Sequence, residues 1–246
     1  MKIANNVDTI ELVMKLFGQQ SVIHPTLFWD DNEIILVDTG IPGQLEEIRA
    51  ALEMAGVSFN KLSKVIITHQ DIDHIGSLPQ ILKASDQKIE VLAHEEDKPY
   101  IEGEKPPIKM HPERIAKMME SLPEEQRQKI QALLGTPLTS KVDKTISDGE
   151  VLPYCGGITV IFTPGHTPGH ISLYHQQSKT LVAGDALVVK DGELVGPNPQ
   201  ATPDMETALQ SIKKFTEYDI DTVICYHGGV YKENANKRLA ELANIQ

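Results

Sequence analysis

The sequence predicts an α/β (α+β) fold in which sheet lies between helix layers, and three observations carry that prediction. Strand-like and helix-like segments interleave in both halves of the chain. Several of the apolar β-type runs end on a His or Asp close to a glycine, which is how a rigid scaffold presents chemistry at strand ends. The length, 246 residues with 40% hydrophobic and 24% charged side chains, suits one globular domain spanning 1–246.

Taken in order, Val22–Trp29 and Glu33–Asp38 read as strands joined by a turn at Asp30-Asp31-Asn32. Gly43–Ala55 reads as a helix with Leu45, Ile48 and Leu52 on one face. A β-branched run, Lys64-Val65-Ile66-Ile67, follows, then a helix-like stretch over Ile75–Ala84 and a strand at Ile89–Ala93. The second half repeats the logic, with strands at 158–162, 171–175, 180–183 and 222–225 and helices near 204–216 and 232–243. Residues 95–147 stand apart, rich in Glu, Lys, Pro and Met, with helices expected over Pro112–Met119 and Pro123–Leu134. Pro123-Glu124-Glu125 is a helix start, with Pro in the first turn and acids at the positive end of the dipole. Met110, Met118, Met119, Leu133 and Leu134 either line an apolar acyl pocket or pack this segment onto the core.

The run Thr68-His69-Gln70-Asp71-Ile72-Asp73-His74 is the most informative part of the chain. It sets four potential metal ligands, His69, Asp71, Asp73 and His74, directly after a strand. In an extended segment alternate residues share a side, so His69, Asp71 and Asp73 face one way. A turn at Asp73-His74 aims the last pair at a second point, a spacing able to serve two adjacent ions. The alternative is a polar turn whose Asp and His cap the next helix. Matching groups recur downstream and weigh against it. Thr163-Pro164-Gly165-His166-Thr167-Pro168-Gly169-His170 follows one strand, Gly184-Asp185 ends another, and Tyr226-His227-Gly228-Gly229 ends a third.

On these residues the chain resembles the metallo-beta-lactamase superfamily, whose signature runs His-x-His-x-Asp-His, a later Pro-Gly-His-Thr-x-Gly-His, Gly-Asp, and a late His. An early Asp after a strand, here Asp38 in Ile34-Ile35-Leu36-Val37-Asp38-Thr39-Gly40, is also part of the pattern. The likeness covers roughly residues 20–230 in the family's order, closer to the glyoxalase II and lactonase-like hydrolases than to β-lactamases, because Gly184-Asp185 implies a carboxylate bridging two metals. It implies a four-layer αββα sandwich with its site along one edge of two facing sheets, and a helical cap over that site formed by 95–147. Carried over position by position, one ion is expected on His69, Asp71, His166 and Asp185 and a second on Asp73, His74, Asp185 and His227. Asp38 and His170 are expected to support these ligands. His24, Met118, Met119 and Val188 are the expected substrate contacts.

The second His of the signature is Asp71 here. Two divalent ions bring four positive charges; Asp71, Asp73, Asp185 and one hydroxide bring four negative ones. The core is thereby neutral, where a His at 71 would leave one positive charge. Carboxylate oxygen favours harder ions, so the expected cofactor is a pair of divalent ions, with Zn first and Mn or Fe admitted by Asp71.

The expected chemistry is hydrolysis by a metal-bridging hydroxide, with Asp73 or Asp185 shuttling the released proton. No Gly-x-Ser-x-Gly motif offers a serine nucleophile. The expected substrate is a small molecule, a lactone, thioester or other carboxylic ester. A phosphodiesterase of the same fold and a di-iron redox enzyme stand as alternatives, the latter because a carboxylate at position 71 resembles the flavodiiron group. Lactonases that resemble this chain place a Tyr three residues after the bridging Asp, where this chain has Val188.

The net charge of −12 disfavours nucleic acid, whose phosphates demand Lys/Arg clusters. No segment approaches 18 uncharged apolar residues, so no membrane span is expected. Met1–Asp8 lacks the apolar core of a signal peptide, and Cys155 and Cys225 lie far apart; a cytoplasmic location with reduced thiols is expected. Cys225 reads as a buried thiol or as a neighbour of His227. A homodimer is compatible with the sequence, and nothing in it fixes one.

Overall fold

The computed structural model describes residues 1–16, 19–109, 123–124, 127–128 and 138–244. Strands β1 (Lys2–Ala4), β2 (Val7–Thr9), β5 (Thr26–Trp29), β6 (Ile34–Val37), β7 (Lys64–Ile66), β8 (Glu90–Ala93) and β9 (Lys144–Thr145) form one sheet in the order β1-β2-β5-β6-β7-β8-β9. Strands β10 (Val151–Leu152), β11 (Ile158–Phe162), β12 (Ile171–His175), β13 (Thr180–Gly184), β16 (Thr222–Cys225) and β17 (Gly229–Tyr231) form the second, in that order. Two hairpins stand outside both sheets: β3 (Leu12–Leu16) with β4 (Gln19–Ile23), and β14 (Val188–Lys190) with β15 (Glu193–Val195).

The period-2 alternation of side chains builds the layers. From β6, Ile35 and Val37 point inward and meet Val160, Leu173, Val182 and Ile224 of the opposite sheet. Ile34 and Leu36, one residue out of phase, point outward against Ile48 and Leu52 of α1 (Leu45–Met54) and Leu78 and Ile81 of α3 (Leu78–Ala84). The second sheet does the same: Leu181, Ala183 and Val223 face outward onto Ile212 of α5 (Met205–Ile212) and Leu239 and Leu242 of α6 (Ala235–Ala243). Two strongly apolar sheets, each covered by helices on its outer face, give the helix–sheet–sheet–helix order that the sequence resemblance implies.

Several expectations need refinement. Pro25 has no N–H to give a ladder, and the expected strand Val22–Trp29 is divided there into β4 and β5. The helix after His69 is two pieces, α2 (Ile72–Ile75) and α3, with Gly76-Ser77 between them. The stretch 95–147 is not wholly an addition to the core: it begins with α4 (Lys98–Ile101), and its end supplies β9, paired in parallel with β8. Ile101, Val142 and Ile146 are buried. The expected helices Pro112–Met119 and Pro123–Leu134, with Met110, Met118, Met119, Leu133 and Leu134, fall mostly or wholly outside the described residues. Among the described residues no helix is long and apolar enough to cross a membrane.

Ile35→Ala, which opens a void between the sheets, is expected to lower the unfolding free energy by about 2–5 kcal/mol in urea denaturation. Met54→Ala, at a side chain 90% exposed on α1, is expected to stay within about 0.5 kcal/mol of the parent. Similar losses in both would refute the layer assignment.

Candidate metal centre

Five strand-end loops of the two sheets deliver the site. β7 runs into Thr68–His74, β11 into the turn that holds His166 and His170, β13 into Asp185, β16 into Tyr226–His227, and β6 into Asp38. The loop after β7 and the strand β12 are tied together across the sheets by Ile171 N–H, which donates to Thr68 O at 3.0 Å.

The seven expected ligands come together. One group is His69, Asp71 and His166; another is Asp73, His74 and His227; a third joins His69 and His74 to Asp185, and within each group the candidate donor atoms lie within 4.8 Å of one another. Asp185 lies between the first two: its Oδ2 is 3.2 Å from His166 Nε2 and 3.4 Å from His227 Nε2, and its Oδ1 is 3.4 Å from His74 Nε2. Asp71 stands at the N-cap position of α2, yet its side chain accepts no capping bond. It is 3.3 Å from His69 Nε2 and 3.1 Å from His166 Nε2 instead.

These residues fit divalent cations. His69 Nε2, His74 Nε2 and Asp185 Oδ1 are buried without a hydrogen-bond partner, close to opposite charge but not aligned for a bond. Buried polar atoms left so are costly unless something else satisfies them. The tautomers agree. His74 Nδ1–H donates to Asp38 Oδ2 at 2.9 Å, which leaves the lone pair on Nε2. Thr68 Oγ1 donates to the same Asp38 oxygen, so at 3.1 Å it accepts from His69 Nδ1 and frees His69 Nε2 in turn.

A family model described as "Metallo-beta-lactamase superfamily" matches residues 20–227. The chain belongs to the metallo-beta-lactamase superfamily. It is 32% identical to a Bacillus subtilis protein named "Probable metallo-hydrolase YflN", over 87% of this chain and 83% of that one. It is 26% identical to a Haemophilus influenzae protein named "Hydroxyacylglutathione hydrolase GloC", over 90% of this chain and 91% of the other. A metallo-beta-lactamase family protein from Thermus thermophilus shares the fold, with a TM-score of 0.72 and 22% identity over 98% of this chain and 79% of that one. The protein is therefore a metal-dependent hydrolase of this superfamily, whose members bind metal ions.

Around these seven candidate donors, a set of buried side chains fixes the loops that carry them. Asp38 ends β6 in the left-handed region at φ 63°, a conformation that Asp tolerates better than most residues. From there Oδ1 accepts Thr68 N–H at 2.8 Å, and Oδ2 accepts Thr68 Oγ1–H at 2.8 Å as well as His74. His170 is not free to ligate: its Nε2 accepts Asp185 N–H at 3.0 Å and its Nδ1 lies 2.8 Å from Thr163 Oγ1. Burial pushes His170 down to about 3, so it stays neutral and holds the Asp185 backbone. A Cβ at Gly184, itself at φ 55°, would come within 2.8 Å of that Nε2. Tyr226 stacks on His74 at 3.8 Å, and its hydroxyl donates to Asp73 O.

Asp97 was not anticipated. It is fully buried, and it ties two ligand loops together: Oδ2 accepts Gln70 N–H at 2.9 Å and Thr167 Oγ1–H at 2.8 Å, while Oδ1 accepts Gly169 N–H at 2.7 Å. Gly169 is required there, because a Cβ would meet Asp97 N at 2.3 Å. The available signal was Asp97-Lys98-Pro99, an acid preceding a helix start with Pro in its first turn. Nothing in that signal points to the metal loops.

Electrostatically, burial and neighbouring charge push these groups in different directions, and burial holds His69 well below its ordinary range. Burial opposes ionisation of Asp71, but His69 and His166 beside it hold it well below the usual range. Burial would lower His227, yet Asp185 and Asp73 push it up to about 10.

The site opens into a cleft of about 1300 Å³. His24 and Val188 line it, beside Asp71, Asp73, Asp185 and His227. His24 Nδ1 lies 3.2 Å from Tyr226 O. The segment after Asp185 forms a wall, including Val189, Val195, Pro197 and Pro199. Cys225 is not a neighbour of the cleft: β16 ends at that residue, and the thiol packs in the outer layer with Ile212 and Leu239.

Burial pushes Asp97 from 3.8 up to about 6, against the three donors that pull it down. A raised pKa means folding binds a proton: the contribution to stability is complete below 3.8 and is lost as pH rises through 6. Asp97→Asn cannot titrate, so its stability relative to the parent is expected to improve steadily from pH 4 to pH 7 in urea unfolding. A flat difference would show that Asp97 ionises as it does in the unfolded chain.

Proposed function

We propose that this hydrolase cleaves a small carboxylic ester-type substrate, a lactone or thioester being the leading cases, with two divalent ions held in the cleft. The observation that carries the reading is the position of Asp185, whose two oxygens lie within 3.4 Å of histidines from both donor groups. His69, Asp71 and His166 would hold one ion, Asp73, His74 and His227 the other, and Asp185 would serve both. Bound there, divalent ions supply a water-derived nucleophile at neutral pH and polarise the scissile carbonyl.

The chain's own residues do the remaining work. Asp73 and Asp185 line the cleft, where either carboxylate can take the proton given up by the attacking water. His24, 3.2 Å from Tyr226 O, adds one polar contact to a cleft lined also by the apolar Val188, Val189 and Val195. That mixture suits an acyl chain with a polar end. Among the described residues that line the cleft, Lys190 is the one Lys or Arg, a poor complement to a phosphodiester backbone. The likeness to a protein named hydroxyacylglutathione hydrolase supports the thioester case. For the metal, the Asp71 oxygen supports Mn or Fe beside Zn.

In a pH-stat, protein loaded with Zn, Mn or Fe(II) is expected to release acid from members of a lactone and thioester panel. Asp185→Ala and His69→Ala are expected to sit at the no-enzyme rate. Silence across the panel with two ions bound would transfer the assignment to phosphoester cleavage, or to oxygen chemistry if the iron form consumes oxygen.

Asp71→His is expected to narrow metal use towards Zn. In the parent, Mn or Fe(II) should support turnover within about tenfold of Zn, and in the variant considerably less. Unchanged metal ratios would remove the argument from donor hardness.

A further inference from the structure

Lys109 reaches the donor group from outside the set of ligands. Its Nζ lies 2.5 Å from Asp71 Oδ2 and 2.6 Å from His166 Nε2, with its side chain 18% exposed. The chain leading to it is anchored: Lys105 N–H donates to Pro99 O and Glu102 N–H to Lys98 O, both on α4, just beyond Asp97.

An imidazole nitrogen has one lone pair. His166 Nδ1 faces Thr202 Oγ1 at 3.3 Å, so Nε2 is the atom that can give a lone pair to the cleft. It can give it to an N–H of Lys109 or to a metal ion, not to both. The same ammonium holds Asp71 Oδ2, so it engages two of the three donors of the first group. Among the described residues no Lys or Arg pairs with Asp73 or Asp185; the ion pairs of those carboxylates are with His74, His166 and His227. Charge follows the same asymmetry. The carboxylate at 71 removes one positive charge relative to an imidazole, and Lys109 returns one.

We infer that Lys109 and a divalent ion are alternative occupants of the His69–Asp71–His166 group, so that the two metal positions fill in order. The Asp73–His74–His227 position with Asp185 fills first. The other fills only as Lys109 gives way, and its affinity is reduced by the fraction of molecules in which the ammonium holds the donors. This rests on the two-ion reading above. It makes Lys109 the residue that sets the occupancy of the first position.

The test is a calorimetric titration of the metal-free full chain with Zn(II), without substrate, comparing the parent with Lys109→Met and Lys109→Arg. The parent is expected to show two classes of binding, the weaker lost in His166→Ala. In Lys109→Met the weaker class should tighten by about tenfold or more, while the stronger stays unchanged; Lys109→Arg should keep the two classes apart. Circular dichroism and thermal melts establish that each variant is folded. Two ions bound with the same pair of affinities in parent and Lys109→Met would overturn the inference and leave the two-ion reading standing. A weaker class that loosened in Lys109→Met would overturn it too, by showing that the ammonium supports the first position. A single ion in every protein would overturn both.

Discussion

Three carboxylates and four imidazoles meet at one edge of the sandwich, mostly out of contact with bulk water. Asp185 is the point on which they turn, since it faces His166 of the first donor group and both His74 and His227 of the second. So many buried donors converge at a cost that only cations and well-made hydrogen bonds can offset. The surrounding structure answers that constraint. Both sheets are nearly continuous apolar runs because both faces are covered, and this rigidity lets five separate loops be held in register at one edge.

The holding is done by residues that carry none of the ligand atoms. Asp38 fixes a backbone amide, a threonine hydroxyl and an imidazole from a single position at the end of β6. Asp97 does the same for the two loops on either side of the first donor group. His170, kept neutral by burial, supports Asp185 through its backbone. Each of these ties joins residues distant in sequence. Sites in which supporting hydrogen bonds orient the ligands lose function when the support goes, even though every ligand remains.

Much of this was legible in the sequence where the signal was local. The strand before His69, the Gly/Pro turn around His166 and the Gly184-Asp185 pair each announced a candidate donor at a strand end, and the structure brings all seven positions together. The interleaving of strand-like and helix-like segments in both halves foretold sheet lying between helix layers. What was not legible depends on pairing across distance. β9 and β10 are two residues each, too short for any periodic pattern, and exist because β8 and β11 offer them edges. Pro25 was present in the sequence, but that it parts two strands serving different sheets follows from tertiary packing. Asp97 and Lys109 could not be read at all, since an acid before a helix and a lysine in a polar stretch are ordinary until the fold brings them to the metal loops.

The division between chemistry and recognition follows from the same physics. The loops that carry these groups are short and meet at one edge of the sandwich, where buried hydrogen bonds tie them together. The cleft walls come instead from hairpins that belong to neither main sheet: β14 and β15 carry Val188, Val189 and Val195, and β4 carries Ser21 and Val22. Such ribbons have one face on the protein and one on solvent, so their residues change at little cost to the core, as the exposure of Val13 and Val22 illustrates. Val188 lies only three residues beyond Asp185, where the wall begins. The change from the buried, hydrogen-bonded Asp185 to the half-exposed wall takes place within that short stretch, so the wall can vary without disturbing the hydrogen bonds around Asp185.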